Sequence, residues 1–239
     1  MTSVQEKFKE CYEIFCAEAL DDKGIPNACK MHDAFGSIDG ERHNCLGCNF
    51  ADSTHLILNY LEKNEELTDV QQDFTVYILL LYLLVERIEM IFEIIQLPTS
   101  YQDKHFKVFQ QIRKWANFIK HPKSFILTHH PEYDFESSGV IHTKKFTEII
   151  NEQFVTSYYK GYSDPTEQKR KNKELYDRLR NKRDVLVYFP DIAKLTSKFC
   201  YSYNKFVQLI LTNEVYREIL EDESTIGSYF ENEKYIDLK

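Results

Sequence analysis

The feature that most constrains the fold is a long stretch without glycine or proline whose centre is entirely apolar or aromatic. Val76–Val85 contains no charged residue, and Pro98 is the first proline after it. A helix that is apolar on all sides must be surrounded by other elements of the protein. The run has ten residues, whereas a membrane span requires about 20. The stretch therefore predicts a central core helix, beginning at Thr68 or Asp69 and ending near Leu97, in a soluble protein with no membrane partner.

Further helical periodicities surround this core helix and favour a mainly α fold. Apolar residues repeat at helical spacing over Val4–Leu20, over Ser53–Lys63 with Ser53 as N-cap, and over a last long helix that Asp191 begins and that ends near Leu211. Only seven glycines and six prolines in 239 residues agree with long regular elements. We expect one all-α domain over residues 1–239, a helical bundle, with an acidic and loosely ordered tail over 222–239.

Two short segments have the composition of strands rather than helices. Ser124–Thr128 is apolar and β-prone, and Val185–Phe189 is an apolar run that Pro190 ends. We expect these two segments to pair in a small two-stranded β element. Between them, Thr166–Asp184 is highly charged and predicts a solvated helix with only a thin apolar edge.

Residues 21–50 form a segment rich in cysteine and glycine that is too long to be an idle loop in a compact domain. Four of its side chains match a tetrahedral zinc site: Cys29, His43, Cys45 and Cys48. His32 is the alternative to His43, and a structural zinc would hold this irregular insert. Unligated thiols, or a redox-active pair at the C-x-x-C motif, are the other interpretations.

The cysteine count and the net charge restrict the compartment and the partners. Six cysteines without a secretion signal favour a reducing, cytoplasmic location. The net charge of −8 disfavours nonspecific binding of nucleic acid. The charge is nevertheless uneven, because residues 104–123 carry six basic and no acidic side chains, and residues 169–183 carry eight basic and two acidic ones. A local basic surface on an acidic body is therefore expected.

One predicted helix, ending near Pro122, carries a polar row inside the first basic stretch. Arg113, Asn117 and His121 recur every four residues. Each step of four turns the helix by about 40°, so the three side chains share an arc of about 80°. The neighbouring face is apolar and predicts contact with the core: Phe106, Phe109, Ile112, Ala116 and Ile119.

These three residue types suit cleavage of RNA through its own 2′-hydroxyl, which requires no metal. Arginine offers a rigid fork of donors to a phosphate, histidine titrates near neutral pH and acts as general base or acid, and asparagine orients either group or binds a ribose hydroxyl. The alternative is a solvated Arg113 and Lys120, with His121 capping the helix C-terminus, where positive charge is favoured.

Other charged residues are candidates to complete such a site. Five basic residues are candidates for binding the RNA backbone: Lys114, Lys120, Lys123, His129 and His130. At most one of the two adjacent histidines should reach the site if they lie on a strand. Glu86 and Glu89 share a face of the core helix with Glu93, and this row would either orient the basic groups and tune the pKa of His121 or simply face solvent.

The order of these elements resembles the HEPN superfamily, a group of small all-α proteins. Many of them are RNases of bacterial toxin–antitoxin and antiphage systems. The resemblance covers roughly residues 52–125 and rests on a long core helix with acidic residues followed by a helix with Arg113, Asn117 and His121. Seven residues separate Arg113 from His121, and Ala116 stands where an arginine would directly precede Asn117.

The resemblance implies a catalytic pair, Arg113 and His121, with Asn117 as the polar residue between them and Glu86 or Glu89 as acidic partner. It also implies a homodimer with one composite, metal-independent site. We therefore expect a metal-independent endoribonuclease of a prokaryotic defence or toxin–antitoxin system, with RNA as substrate and a protein antitoxin or regulator as partner. The alternative is a non-catalytic helical interaction or regulatory protein stabilised by a structural zinc.

Overall fold

The computed structural model describes residues 4–19, 46–63, 69–120, 132–135, 146–160, 164–180, 182, 184–222 and 228. These residues form a mainly helical protein with one small sheet, so the predicted mainly α class is confirmed. In chain order the elements are α1 Val4–Ala19, α2 Leu46–Lys63, α3 Val70–Ile94, α4 Thr99–His105, α5 Lys107–Lys120, β1 Glu132–Phe135, β2 Glu148–Ile150, α6 Glu152–Tyr159, α7 Pro165–Leu179, β3 Val185–Phe189, α8 Ile192–Thr212 and α9 Glu214–Glu221. Within this part of the chain, none of the helices has the length and apolar character that a membrane span requires.

The chain divides into two compact units. The first unit comprises residues 1–65, 83–107 and 196–239, and the second comprises residues 66–82 and 108–195. Because α3 and α8 each contribute residues to both units, neither unit is one continuous segment. The expectation of one domain over residues 1–239 stays a prediction.

Aromatic side chains form the core of the first unit. Phe8 of α1 stacks on Phe199 of α8 with 5.9 Å between ring centroids. Phe92 of α3 packs on Phe106 at 4.9 Å and on Phe206 of α8 at 5.7 Å. These rings are buried, and aromatic pairs at such distances stabilise a core beyond the area that they bury.

The predicted start of the second helix, α2, is wrong. It begins at Leu46, so Ser53 lies inside the helix rather than at its N-cap, and the irregular insert does not extend to residue 50. The reason is non-local. Phe50 is buried, and its ring centroid lies 6.0 Å from that of Tyr203 and 5.6 Å from that of Phe206. The helix includes residue 50 because this conformation places the Phe50 side chain in the core.

The core helix α3 is confirmed, and its C-terminus has a specific hydrogen-bonding pattern. The helix ends at Ile94, before the predicted Leu97. The Leu97 N–H donates to the Phe92 carbonyl at 2.8 Å and the Gln96 N–H donates to the Glu93 carbonyl at 3.0 Å. Gln96 has a φ of 52°. This pair of bonds is a Schellman motif, whose left-handed position is usually occupied by glycine.

In the second unit, β3 is the middle strand of a three-stranded sheet of order β1-β3-β2. Both neighbours run parallel to it, with Glu132 opposite Leu186 and Glu148 opposite Val185. The strand at Val185–Phe189 is therefore confirmed, whereas the sheet has three strands rather than the two that were predicted. All five β3 residues are buried, and such a strand has two hydrogen-bonding edges to satisfy. The proposed partner, Ser124–Thr128, lies outside the described residues.

One aromatic cluster joins the helices of the second unit to its sheet. Phe74 of α3 lies 4.3 Å from Phe189 of β3 and 5.5 Å from Trp115 of α5, measured between ring centroids. Trp115 lies 5.6 Å from Phe189, and Tyr133 of β1 stacks on the same ring at 5.8 Å. We call Phe74, Trp115, Tyr133 and Phe189 the aromatic cluster. It fixes how α5 is rotated against the sheet.

Two further helix predictions agree with the structure. The Lys194 N–H donates to the Asp191 side chain at 3.0 Å, so Asp191 caps α8 as expected. Helix α7 has the predicted thin apolar edge, with Leu175 and Leu179 buried. The tail lies almost entirely outside the described residues, so its predicted loose order stays a prediction.

We expect Gln96→Gly to raise the free energy of unfolding by about 0.5–1 kcal/mol, because glycine adopts positive φ without the steric penalty of a Cβ atom. The control is Gln208→Gly at an exposed position inside α8, which should lower stability by about 1 kcal/mol. Urea unfolding of both variants measures the difference. A loss of stability in Gln96→Gly would contradict the left-handed backbone at this position.

We expect Tyr133→Phe to raise the free energy of unfolding by about 1 kcal/mol, since a buried hydroxyl without a partner is costly. Within the described residues, no hydrogen-bond partner reaches the buried Tyr133 Oη. Burial also raises the pKa of Tyr133 to about 12 from 10.0. The unfolded chain therefore loses this proton at lower pH, and stability falls as pH rises through that range.

Tyr133→Phe should weaken that alkaline loss, which urea unfolding at pH 7 and at pH 11 measures. The control is Tyr201→Phe, whose side chain is 71% exposed and which should leave stability unchanged within about 0.5 kcal/mol. A clear destabilisation by Tyr133→Phe would show that the hydroxyl has a partner.

Candidate functional site

The candidate site is built on α5, one side of which is buried. The buried residues of the helix are Val108, Phe109, Ile112, Trp115, Ala116, Phe118 and Ile119. The apolar face that the sequence predicted is therefore confirmed, and Phe106, directly before the helix, is buried as well. Trp115 and Phe118 widen this face beyond the prediction.

The polar row lies on the other side of the helix. Arg113 is exposed and Asn117 is half-buried. They are four residues apart, so about 6 Å of helix rise separates them on one face. A ligand in solvent can therefore reach both side chains, as an Arg–Asn site requires.

The remaining residues of the row are only partly described. Lys114 is half-buried and Lys120 is exposed. The Lys120 Nζ lies 3.8 Å from the centroid of the Tyr82 ring, a cation–π contact that holds this ammonium at the end of α5. His121, Lys123, His129 and His130 lie outside the described residues. The third member of the row thus stays a prediction.

The two supporting carboxylates fall in the other compact unit. Glu86 is exposed and Glu89 is half-buried on α3, in the part of this helix that belongs to the first unit. Arg113 and Asn117 belong to the second unit. The support that these carboxylates would give to the row stays a prediction.

The predicted zinc site lies almost wholly outside the described residues. Cys29, His43, Cys45 and the alternative His32 are not among them, and of Cys48 only the backbone is described, in the first turn of α2. Among the side chains that the structure does describe, no group of three or more histidine, cysteine, aspartate or glutamate residues is arranged to hold a metal ion. The structural zinc stays a prediction.

The first unit contains a titratable pair that the sequence did not single out. The Lys205 Nζ lies 2.6 Å from the His105 Nδ1, and the Tyr101 ring lies 4.4 Å from the imidazole. Burial lowers the pKa of His105, and the charges of Lys205 and Lys104 lower it further. The Lys205 ammonium has only donors, so the His105 Nδ1 is the acceptor in this contact. No local signal predicts a pair separated by 100 residues.

Two thiols also meet in the first unit. The Cys11 Sγ donates to the Asn204 Oδ1 at 3.5 Å and the Cys200 Sγ donates to the Lys7 carbonyl at 3.7 Å. A hydrogen bond with Cys200 and burial raise the pKa of Cys11 well above its usual value. Cys11 is a buried core residue, and its thiol stays protonated and unreactive.

The second basic stretch is held by an ion pair that the sequence also missed. The Arg178 guanidinium donates to the two carboxylate oxygens of Glu148 at 2.9 and 2.7 Å. This ion pair joins α7 to β2. It is bidentate, which is the geometry in which arginine binds a carboxylate most strongly. At least one cation of α7 is therefore neutralised by an acidic residue of another element.

Comparison of the chain with protein-family models, with curated proteins and with solved structures gives no match.

We expect Arg113→Ala to change the free energy of unfolding by less than about 1 kcal/mol, because exposed ionic contacts contribute little. Trp115→Ala, two positions along the same helix, should cost about 3–5 kcal/mol, since it empties the aromatic cluster. Urea unfolding compares the two variants. A loss of several kcal/mol in Arg113→Ala would show that the row is part of the core and not a site.

Proposed function

We propose that this protein is a metal-independent endoribonuclease that cleaves RNA by attack of its own 2′-hydroxyl. The single observation that carries the proposal is the presentation of Arg113 and Asn117 on the solvent side of α5, whose other side is anchored in the core. A rigid helix with an accessible Arg–Asn pair positions two groups without a mobile loop, which is what a preorganised site needs.

Each residue of the row has a distinct part in the reaction. His121 accepts the proton of the 2′-hydroxyl, whose oxygen attacks the adjacent phosphorus. The bond from phosphorus to the 5′-oxygen breaks, and the leaving oxygen takes a proton from water. The products are a 2′,3′-cyclic phosphate and a 5′-hydroxyl. Arg113 binds the phosphate oxygens and stabilises their developing charge. Asn117 orients the ribose or the histidine.

The surrounding cations bind the RNA backbone on either side of the cut. Lys114, Lys120 and Lys123 contact phosphates, with one of His129 and His130 completing the set. The Lys120 ammonium is already held against the Tyr82 ring at 3.8 Å, so little side-chain entropy is lost when it meets a phosphate. Because these contacts join cations to phosphates, the affinity for RNA should fall steeply as the salt concentration rises.

The resemblance to the HEPN superfamily supports the biological setting of this proposal. On that resemblance the protein would act in the cytoplasm, in a prokaryotic defence or toxin–antitoxin system. A second copy would complete the site, and a protein antitoxin or regulator would restrain it. Glu86 or Glu89 would then act as the acidic partner of the row.

A non-catalytic interaction protein with a structural zinc is the second candidate. The observation that favours it is the overall charge of −8, which opposes binding of RNA outside local basic surfaces. This candidate retains the zinc ligands Cys29, Cys45 and Cys48 with His43 or His32, and it predicts no RNA cleavage.

We expect His121→Ala and Arg113→Ala each to lower the rate of RNA cleavage by at least about 10²-fold, since they remove a proton acceptor and a phosphate ligand. The measurement is the rate on cellular RNA with protein treated with EDTA. His55→Ala, which removes an exposed histidine of α2, is the matched control and should cleave at the wild-type rate. Cleavage that survives both site substitutions would refute the site, and cleavage that EDTA abolishes would refute the mechanism.

A further inference from the structure

Helix α7 exposes most of its surface because only two of its residues are buried. Leu175 and Leu179 pack inward, while the sides of the helix that carry its charges face solvent. Asp164 caps its N-terminus by accepting from the Thr166 N–H at 2.7 Å. The helix is thus a stable, charged element attached to the second unit along a narrow edge.

Several cations of this helix are already neutralised by acids. Arg170 donates to Glu167 at 2.9 Å and also binds Glu174. Lys171 lies 4.0 Å from Glu167, and Arg178 pairs with Glu148. At 100° per residue, the four positions 167, 170, 174 and 178 fall within about 80° of one another. One side of α7 is therefore a network of ion pairs in which both signs are balanced.

Four residues lie on a different side, and we call them the α7 stripe: Lys169, Lys173 and Tyr176 of the helix, and Arg180, which directly follows it with helical backbone angles. Their spacing of four, three and four residues places them within about 60° of one another on the helix. All four are exposed. Within the described part of the chain, no ion pair joins an acidic residue to any of the three cations. The stripe is therefore a row of cations available to a ligand, with an aromatic ring inside it.

The Tyr176 ring lies beside one of these cations, Arg180. Tyr176 is 45% exposed, and the Arg180 guanidinium carbon lies 5.8 Å from its ring centroid. A planar guanidinium and an exposed ring side by side provide surfaces on which nucleobases stack. Lys169 and Lys173 stand about 6 Å apart along the axis, and Arg180 stands about 10 Å further on. The stripe alternates cations and a stacking surface over a span of about 16 Å.

We propose that the α7 stripe binds single-stranded RNA, with Lys169, Lys173 and Arg180 on successive backbone phosphates and a base stacked on Tyr176. A duplex keeps its bases stacked inside, so it would leave the ring unused. An acidic peptide would satisfy the cations but would give the ring no flat partner. The overall acidic charge of the chain repels polyanions and so confines their binding to local basic surfaces such as this one. The inference rests on the proposed function in taking RNA as the ligand, but it concerns a surface of its own.

The test uses an RNA oligonucleotide with 2′-O-methyl groups at every position, which cannot be cut by 2′-hydroxyl attack. Fluorescence anisotropy then measures binding separately from cleavage. Lys169→Gln with Lys173→Gln removes two cations of the stripe. Arg170→Gln with Lys171→Gln removes two paired cations from the same helix and is the matched control for charge.

The stripe variant should bind at least about tenfold more weakly, and its log–log salt slope should be smaller by about 1.4, the change expected for two lost phosphate contacts on a single strand. The control variant should bind within about threefold of the wild type, since its cations are already engaged by acids. Tyr176→Ala should weaken binding by about tenfold whereas Tyr176→Phe should not, because stacking requires the ring and not the hydroxyl.

Asp177 provides a test in the opposite direction. It is exposed next to the stripe, about 40° from Lys173 on the helix, and its charge repels phosphate. Asp177→Asn should strengthen binding. A strengthened complex in this variant is a gain of binding, which unfolding of α7 could not produce.

Three results would overturn the inference. Equal weakening by the stripe variant and its control would show general charge attraction. Tighter binding of a duplex than of the single strand would show recognition without stacking. Binding to anionic vesicles with no binding of the oligonucleotide would assign the stripe to a membrane surface. The outcome is separable from the proposed function: stripe-dependent binding without cleavage of ordinary RNA would remove the nuclease and leave the RNA-binding surface.

Discussion

The packing of Trp115 against Phe74 and Phe189 determines which side of α5 faces the core. It holds one side of that helix against α3 and β3 through rings 4.3 to 5.6 Å apart. A helix has only one rotation that buries a given face. Once Trp115 is inside, Arg113 and Asn117 must be on the opposite flank. The polar row is thus a consequence of the core, and the core would be the same without any function for the row.

Charge sorting is the second organising constraint. The chain carries 30 basic and 38 acidic side chains, so an unpaired cation has many possible partners. In α7 the acids Glu167 and Glu174 engage Arg170, while Glu148 engages Arg178. The cations of the stripe remain on a separate side of the same helix. A polyanion therefore meets positive charge at defined places, although the protein as a whole is acidic.

The sequence predicted those parts of the structure that depend on local pattern. The apolar run at Val76–Val85 predicted the core helix, and the buried face of α5 followed from its spacing. The apolar segment Val185–Phe189 predicted a strand. Each of these signals lies within one element, where periodicity directly reports which side is buried.

What the sequence did not predict depends on contacts between distant residues. β1 is only four residues long, Glu-Tyr-Asp-Phe, and two of them are acidic; its position in the sheet depends on pairing with β3, about 50 residues away. The early start of α2 depends on Phe50 reaching Tyr203 and Phe206, and the His105–Lys205 pair is set by the fold alone. Of the site, Arg113 is exposed and Asn117 is half-buried, while His121 lies outside the described residues.

The products of RNA cleavage test attack by the 2′-hydroxyl most directly. An RNA oligonucleotide with one preferred cleavage position is compared with the same oligonucleotide carrying a single 2′-deoxyribose at that position. Attack by the 2′-hydroxyl predicts that the ordinary RNA gives a 2′,3′-cyclic phosphate and a 5′-hydroxyl, and that the deoxy substitution abolishes that cut. Cleavage at the substituted position, or products with a 5′-phosphate, would show that an external nucleophile attacks the phosphorus and would contradict the proposed mechanism.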